Sequence, residues 1–275
     1  MLNQKSPVAS LFVPHGSPMF ALRSGAAGAA LSTLAKSLPQ PRAIIMVSAH
    51  WETAIPTVGT SERLETIHDF YGFPEELYAL RYPASGCPEA ADVVVQALKT
   101  AGFAVAQDAT RGLDHGAWVP LKLMFPEADV PVIPLSIQRG ADTAHHLRLG
   151  AALAPLAAQG FLVIASGNLT HNLRDYQLVS SNGGQSPAYV REFADWMGAH
   201  MAAHDTAALI DYRHQAPGAV QAHPSEEHLL PLFVALGAAG AQAEVSRFHA
   251  GIDDYVLAMD AFAFSPNRPQ GQGVH

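Results

Sequence analysis

Short apolar runs rich in β-branched residues alternate along the chain with longer, Ala-rich stretches whose apolar positions recur every three or four residues. The second spacing marks helices with one buried face, and the uninterrupted apolar runs mark strands covered on both sides. Strands are expected at Ala9 to Val13, Ala43 to Val47, Phe103 to Ala106, Val130 to Ile137 and Phe161 to Ala165. Helices are expected at about Ala26 to Ser37, Pro88 to Thr100, Thr143 to Ala158, Pro187 to His204, Glu226 to Ala239 and Asp253 to Phe262. Several of these open on a residue suited to capping or to the first helical turn. The alternation predicts an α/β fold, a single-domain αβα sandwich around a largely parallel or mixed central sheet. No repeat or linker divides residues 1–264, which read as one domain, and the Pro-, Gly- and Gln-rich tail 265–275 has nothing to bury and is expected to fray.

Composition narrows the class of partner. The chain has 275 residues, 49% hydrophobic and 15% charged, as a globular protein with a sizeable core requires. Its formal charge of −8 repels nucleic acid and leaves a small molecule as the expected partner. The one cysteine, Cys87, excludes a disulfide framework and any Cys-rich zinc module, and points to a reducing, cytoplasmic setting. The apolar run Pro7 to Val13 is too short for a signal peptide. The uncharged stretch Leu149 to Leu173 is long enough to span a bilayer, but Pro155, Gln159-Gly160 and Ser166-Gly167-Asn168 break it into helix, turn and strand, so no membrane segment is expected.

The chain holds 14 histidines, and their placement carries the chemistry. His15, His50 and His171 each follow a predicted strand, at the edge where open α/β sheets bind ligands in a crevice. A fourth candidate, His228, belongs to His223-Pro224-Ser225-Glu226-Glu227-His228, where Ser225 is the expected N-cap of an apolar helix and His228 falls in its first turn. His115, between Asp114 and Gly116, suits a catalytic loop and a plain turn equally well. His68 and Tyr71 lie in an aromatic-rich loop that either walls a planar substrate or caps the core. His145, His146, His200, His204, His214, His249 and His275 have no supporting pattern and are expected at the surface. The chain contains no His-Glu-x-x-His, Gly-x-Ser-x-Gly, phosphate loop or Gly-x-Gly-x-x-Gly, so the zincin, hydrolase-elbow, nucleotide and dinucleotide classes lack their signals. A metal site assembled from scattered imidazoles remains.

Six spaced motifs in order then identify a resemblance: His15-Gly16-Ser17-Pro18, Ser48-Ala49-His50-Trp51, His68-Asp69-Phe70-Tyr71-Gly72-Phe73-Pro74, Asp114-His115-Gly116, Gly167-Asn168-Leu169-Thr170-His171-Asn172 and Glu227-His228-Leu229-Leu230-Pro231-Leu232. Over nearly its whole length the sequence resembles the class III extradiol ring-cleavage dioxygenases, in the 4,5-DOPA extradiol dioxygenase-like branch. The resemblance implies an αβα sandwich forming a single catalytic domain with a metal in a crevice at the strand carboxyl ends. It makes His15, His50 and His228 the metal ligands, His171 the catalytic base, and His115 an acid or hydrogen-bond donor beside the oxygen site. His223, Glu227, His68 and Tyr71 become candidates for contacts to the substrate or around the metal. Related enzymes with a glutamate as third ligand hold non-haem ferrous iron, and a three-histidine set also suits zinc. The expected cofactor is therefore Fe(II) for activity, with Zn(II) as an ion the isolated protein can carry. The implied reaction inserts both atoms of O2 into a small catechol to give a muconic semialdehyde. Two other readings of the same imidazoles are a zinc-dependent hydrolase and a non-enzymatic metal-binding relative.

Overall fold

The computed structural model describes residues 8–266. Ten strands occur in chain order: β1 (Ser10–Pro14), β2 (Ala43–Thr53), β3 (Thr57–Gly59), β4 (Ala106–Asp108), β5 (Val132–Gln138), β6 (Phe161–Gly167), β7 (Glu244–His249), β8 (Ile252–Asp253), β9 (Leu257–Ala258) and β10 (Ala261–Ser265). Eight of them form one mixed sheet in the order β4-β3-β5-β2-β6-β1-β10-β7. Its centre, β5-β2-β6-β1, is parallel, while β10 and β7 add an antiparallel edge.

Successive side chains of a strand point to opposite faces, and the sheet shows this throughout. Ala43, Ile45 and Val47 of β2 enter one core with Ile133, Leu135, Val163 and Ala165, beneath the helices Pro88–Thr100, Thr143–Leu153, Ala188–Ala202 and Leu230–Ala239. Ile44 and Met46 enter a second core with Val132, Leu162 and Ile164, beneath Gly25–Ser37 and His115–Met124. Helices on both faces of a mixed sheet give the expected αβα layers. The parallel centre brings the carboxyl ends of β1, β2 and β6 to one rim.

Several expected elements change. The helix expected over Asp253 to Phe262 is instead β8, a turn through Asp254 and Tyr255 with φ of 47° and 64°, then β9 and β10. The reason is a period of two: Ala261 and Ala263 enter one core while Phe262 and Phe264 enter the other. The helix expected from Glu226 begins at Leu230, with Pro231 in its first turn, where the missing N–H costs nothing. Ser225 does not cap it, and His228 lies before the helix. The strand expected at Phe103 to Ala106 is β4, three residues later, and β3 and β7 were not anticipated. β2 runs past Val47 to Thr53. Ser265, assigned to the tail, pairs with Glu244 in β10, while residues 267–275, including His275, lie outside the described residues. Among the described residues no helix is long and apolar enough to cross a membrane.

Candidate metal centre

Three neighbouring strands deliver the site. His15 follows β1 directly, is only 1% exposed, and donates its backbone N–H to Gly167 O of β6 at 3.3 Å. His50 lies within β2, just past Ser48, where the pairing with β5 jumps to Glu52. Such an irregularity re-aims a side chain that a regular strand would place elsewhere. Ser48 Oγ receives the His50 backbone N–H at 3.1 Å and donates to Asp114 Oδ1 at 2.6 Å, and Asp114 pairs with Arg111 at 2.5 Å. His228 is held from β6: its carbonyl accepts the Asn168 N–H at 3.0 Å. Glycine at 167 is needed for that approach, because a Cβ there would lie 2.1 Å from His228 O. Gly116 plays the same part beside His50, where a Cβ would meet the ring at 2.8 Å.

The Nε2 atom of His50 lies 3.1 Å from that of His15 and 3.3 Å from that of His228. Each ring is tied on its other nitrogen. His15 Nδ1 meets Ser166 Oγ at 2.9 Å, His228 Nδ1 meets Glu227 Oε1 at 3.2 Å, and His50 Nδ1 faces Asp69 Oδ2 at 3.5 Å. A carboxylate only accepts, so Glu227 draws the Nδ1 proton of His228 towards it, and the longer approach of Asp69 to His50 favours the same form, which turns the two Nε2 lone pairs towards each other. Two lone pairs at such a distance repel unless a cation lies between them. A metal with nitrogen ligands at about 2.1 Å and angles between tetrahedral and octahedral sets its ligands roughly 2.9–3.4 Å apart, so the donor set fits one ion. Two looser sets, His15 with His50 and His115, and His171 with Glu227 and His228, each bring three potential ligand atoms within 4.8 Å. The Nε2 contacts of His50 with His15 and His228 join the two sets, and Glu227 sits behind His228, on its Nδ1 side.

Two more imidazoles border the three. His171 stacks on His228, centroids 3.5 Å apart and planes 5° from parallel, with its backbone N–H bonded to Ala222 O at 2.9 Å. His115 opens the helix His115–Met124, which Asp114 caps by accepting from Ala117 N–H, and its ring lies 4.1 Å from that of His50. Burial, reinforced by neighbouring imidazoles, pushes the pKa of His15 and His228 well below the usual histidine value, that of His50 to about 4 and that of His171 to about 3. These rings stay neutral at physiological pH, so each keeps one nitrogen lone pair. Asp69 is the converse: burial acts to raise its pKa, but hydrogen bonds and attraction from His115 outweigh it and leave the carboxyl below its ordinary value.

The other candidates separate. His223 is fully buried and its Nε2–H donates to Leu169 O at 2.7 Å, with Nδ1 left without a protein partner. His68 turns to Leu80 O at 3.2 Å and packs against Phe70, Tyr78 and Trp118. Tyr71 is 92% exposed, whereas its neighbour Phe70 reaches the centre, 5.7 Å from the His115 ring. His146, expected at the surface, is buried, because Gln138 N–H and Asp142 O satisfy both of its nitrogens. Sequence reasoning did not single out Asp69, Ser48, Asp114 or Ser166. Asp69 and Asp114 each stand beside a candidate histidine, which was the available signal.

Residues 11–257 match the family model described as the catalytic LigB subunit of aromatic ring-opening dioxygenase. The chain belongs to this family. It is similar to the 4,5-DOPA dioxygenase extradiol of Beta vulgaris, 39% identical over 260 residues covering 93% of this chain and 96% of that one. The protein of the same description from Escherichia coli K12 is 37% identical over 258 residues, 91% of this chain and 92% of its own. A crystal structure of an uncharacterized E. coli K12 protein superposes with a TM-score of 0.77 at 32% identity, covering 94% of this chain and 99% of that one. The LigB-family chain is thus an extradiol dioxygenase, an enzyme of a metal-dependent family acting on a small aromatic compound and O2, and its clustered imidazoles can bind a metal.

Proposed function

We propose that the enzyme opens a small, DOPA-like catechol beside its two hydroxyls, inserting both atoms of O2 to release a muconic semialdehyde, with Fe(II) held by His15, His50 and His228. The observation that carries this reading is the approach of three Nε2 atoms, at 3.1 and 3.3 Å, from rings fixed on their far sides. Ferrous iron, when bound, supplies the one-electron chemistry that lets triplet dioxygen react with a singlet aromatic ring. Zinc fits the same nitrogens without that chemistry, and we read it as an ion the isolated protein can carry.

His171 is the proposed base. A ring kept neutral by burial has its lone pair free to take a proton from a catechol hydroxyl, a contribution on the order of 10²–10⁴ in rate. His115 is the proposed donor: with Nδ1–H bonded to Asp69 at 3.0 Å, its Nε2 is the nitrogen left to take up a proton released by the catechol and return it to oxygen as the ring opens. Phe70, packed on Phe73 and Tyr78 and edge-on to His115, offers an apolar face on which an aromatic substrate can lie. The cytoplasm is the proposed compartment.

The test is anaerobic loading with Fe(II), then admission of air over L-DOPA, caffeate and protocatechuate while oxygen uptake and yellow product are followed. Oxygen consumed one-to-one with a catechol by the iron form, and none by the zinc form, is the expected result. Turnover of an ester or amide by the zinc form without oxygen would replace it with a hydrolase.

A further inference from the structure

We propose that Asp69 is a positioning residue that couples the metal side of the centre to its proton-donor side, orienting His50 and His115 with one carboxylate. The inference rests on the roles proposed above for those two histidines. Asp69 Oδ1 accepts the backbone N–H of His115 at 2.8 Å and its Nδ1–H at 3.0 Å, while Oδ2 faces Nδ1 of His50 at 3.5 Å. A carboxylate has no proton to give, so His115 must turn an N–H towards it, and the approach of Oδ2 draws the Nδ1–H of His50 to the same side, which keeps Nε2 of each ring for the crevice. The two rings lie 4.1 Å apart, close enough for one side chain to set both.

The loop that carries Asp69 is anchored on each side of it. Ile67 N–H donates to Leu113 O at 2.7 Å, Leu113 N–H returns to Glu65 O at 2.8 Å, and Trp118 Nε1–H donates to Ile67 O at 3.1 Å. His68 is tied to Leu80 O, and Phe70 packs on His115 from the other side. Asp114, the nearest carboxylate in sequence to His115, is already occupied by Ser48, Arg111 and the Ala117 N–H. Contacts of this kind behind metal-bound imidazoles fix their tautomer and orientation.

Asp69→Asn keeps the shape but offers one accepting oxygen and an NH2 group that opposes the second imidazole N–H. The test compares the parent, Asp69→Asn, His115→Ala and the double variant. The zinc-loaded proteins are read by 15N NMR of the imidazoles and by zinc titration, and the iron-loaded ones by kcat and KM. Asp69→Asn should shift His115 from a single Nδ1–H form to a mixture, weaken zinc by about tenfold, and lower kcat by about ten- to a hundredfold with KM little changed. In the His115→Ala background the same substitution should cost less kcat than in the parent, the remainder being its share through His50. An unchanged tautomer in Asp69→Asn, or losses of kcat that multiply in the double variant, would overturn the proposal. The NMR and zinc readings need no turnover, so failure of the parent to cleave any catechol would sink the proposed reaction and leave the role of Asp69 to be decided by them.

Discussion

Two groups of imidazoles in this molecule are largely withdrawn from water, His50 being the most open at 23% exposure, and they differ by bonding. His146 is fully enclosed at the start of the helix Thr143–Leu153, and burial holds its pKa down at about 4. Both its nitrogens are satisfied by backbone: Nδ1–H donates to Asp142 O at 2.8 Å, and Nε2 accepts Gln138 N–H at 3.1 Å. His15, His50 and His228 each turn Nδ1 to a polar side chain and Nε2 to another imidazole, an arrangement that a shared cation would stabilise. Burial alone therefore does not mark a functional histidine. What sets the three apart is that their second nitrogens face one another across one crevice, which is visible only once the rings are in place.

Substitutions can break that comparison from either side. The largest effect should come from His15→Ala or His50→Ala, which should abolish metal retention, measured by elemental analysis after dialysis, together with oxygen uptake. Next is His171→Ala, expected to keep the metal and lose about 10²–10⁴ in kcat, since it removes the proposed proton acceptor and none of the three proposed ligand nitrogens. Cleavage of catechols by this variant at the parent rate would remove His171 from the mechanism. A metal titration of His228→Ala against Glu227→Ala separates a ligand from its support: the first should lose binding, and the second should weaken it by about 10–100-fold. Unchanged affinity in His228→Ala would transfer the third ligand position elsewhere.

The smallest effect belongs to the structural ring. The folded-state pKa of His146, about 4, lies below the unfolded value of about 6.5, so the unfolded chain binds more protons in between. The stability this ring contributes is complete above about pH 6.5 and is lost as pH falls towards 4, on the order of 3 kcal/mol in all. Urea melts of metal-free protein at pH 7 and pH 5 should show the decline. His146→Gln should make it shallower and cost about 1–3 kcal/mol at neutral pH, with metal affinity unchanged. A metal affinity that falls in this variant would erase the distinction between the two groups.

Much of this was legible in the sequence. The continuous apolar runs of β1, β5 and β6 and the helix Pro88–Thr100, opened by its proline, gave the sandwich, because buried strands and amphipathic helices have different periods. The C-terminal segment misled because Val256 to Phe264 is apolar at nearly every position, and the period of two that makes β10 is confined to a few residues. His15 was readable because the strand before it ends where the apolar run ends. His50 was readable as a candidate but not as part of a strand, since the irregularity after Ser48 depends on its partner β5. The supports Asp69, Ser166 and Glu227 act across gaps of 46, 151 and one residue respectively, and only Glu227 stood next to its histidine. His146 was misassigned because its two backbone partners belong to the strand end and helix start that meet only on folding.

The central claim is that one ion is held by three imidazole nitrogens from β1, β2 and the segment before Leu230–Ala239. X-ray absorption at the iron edge of the anaerobically loaded protein counts imidazoles directly, through the scattering of their outer ring atoms. Three imidazoles in the parent, and one fewer in each of His15→Ala, His50→Ala and His228→Ala that still holds any iron, is the predicted result. An imidazole count that stays the same in His228→Ala, or a parent spectrum dominated by oxygen ligands, would contradict it.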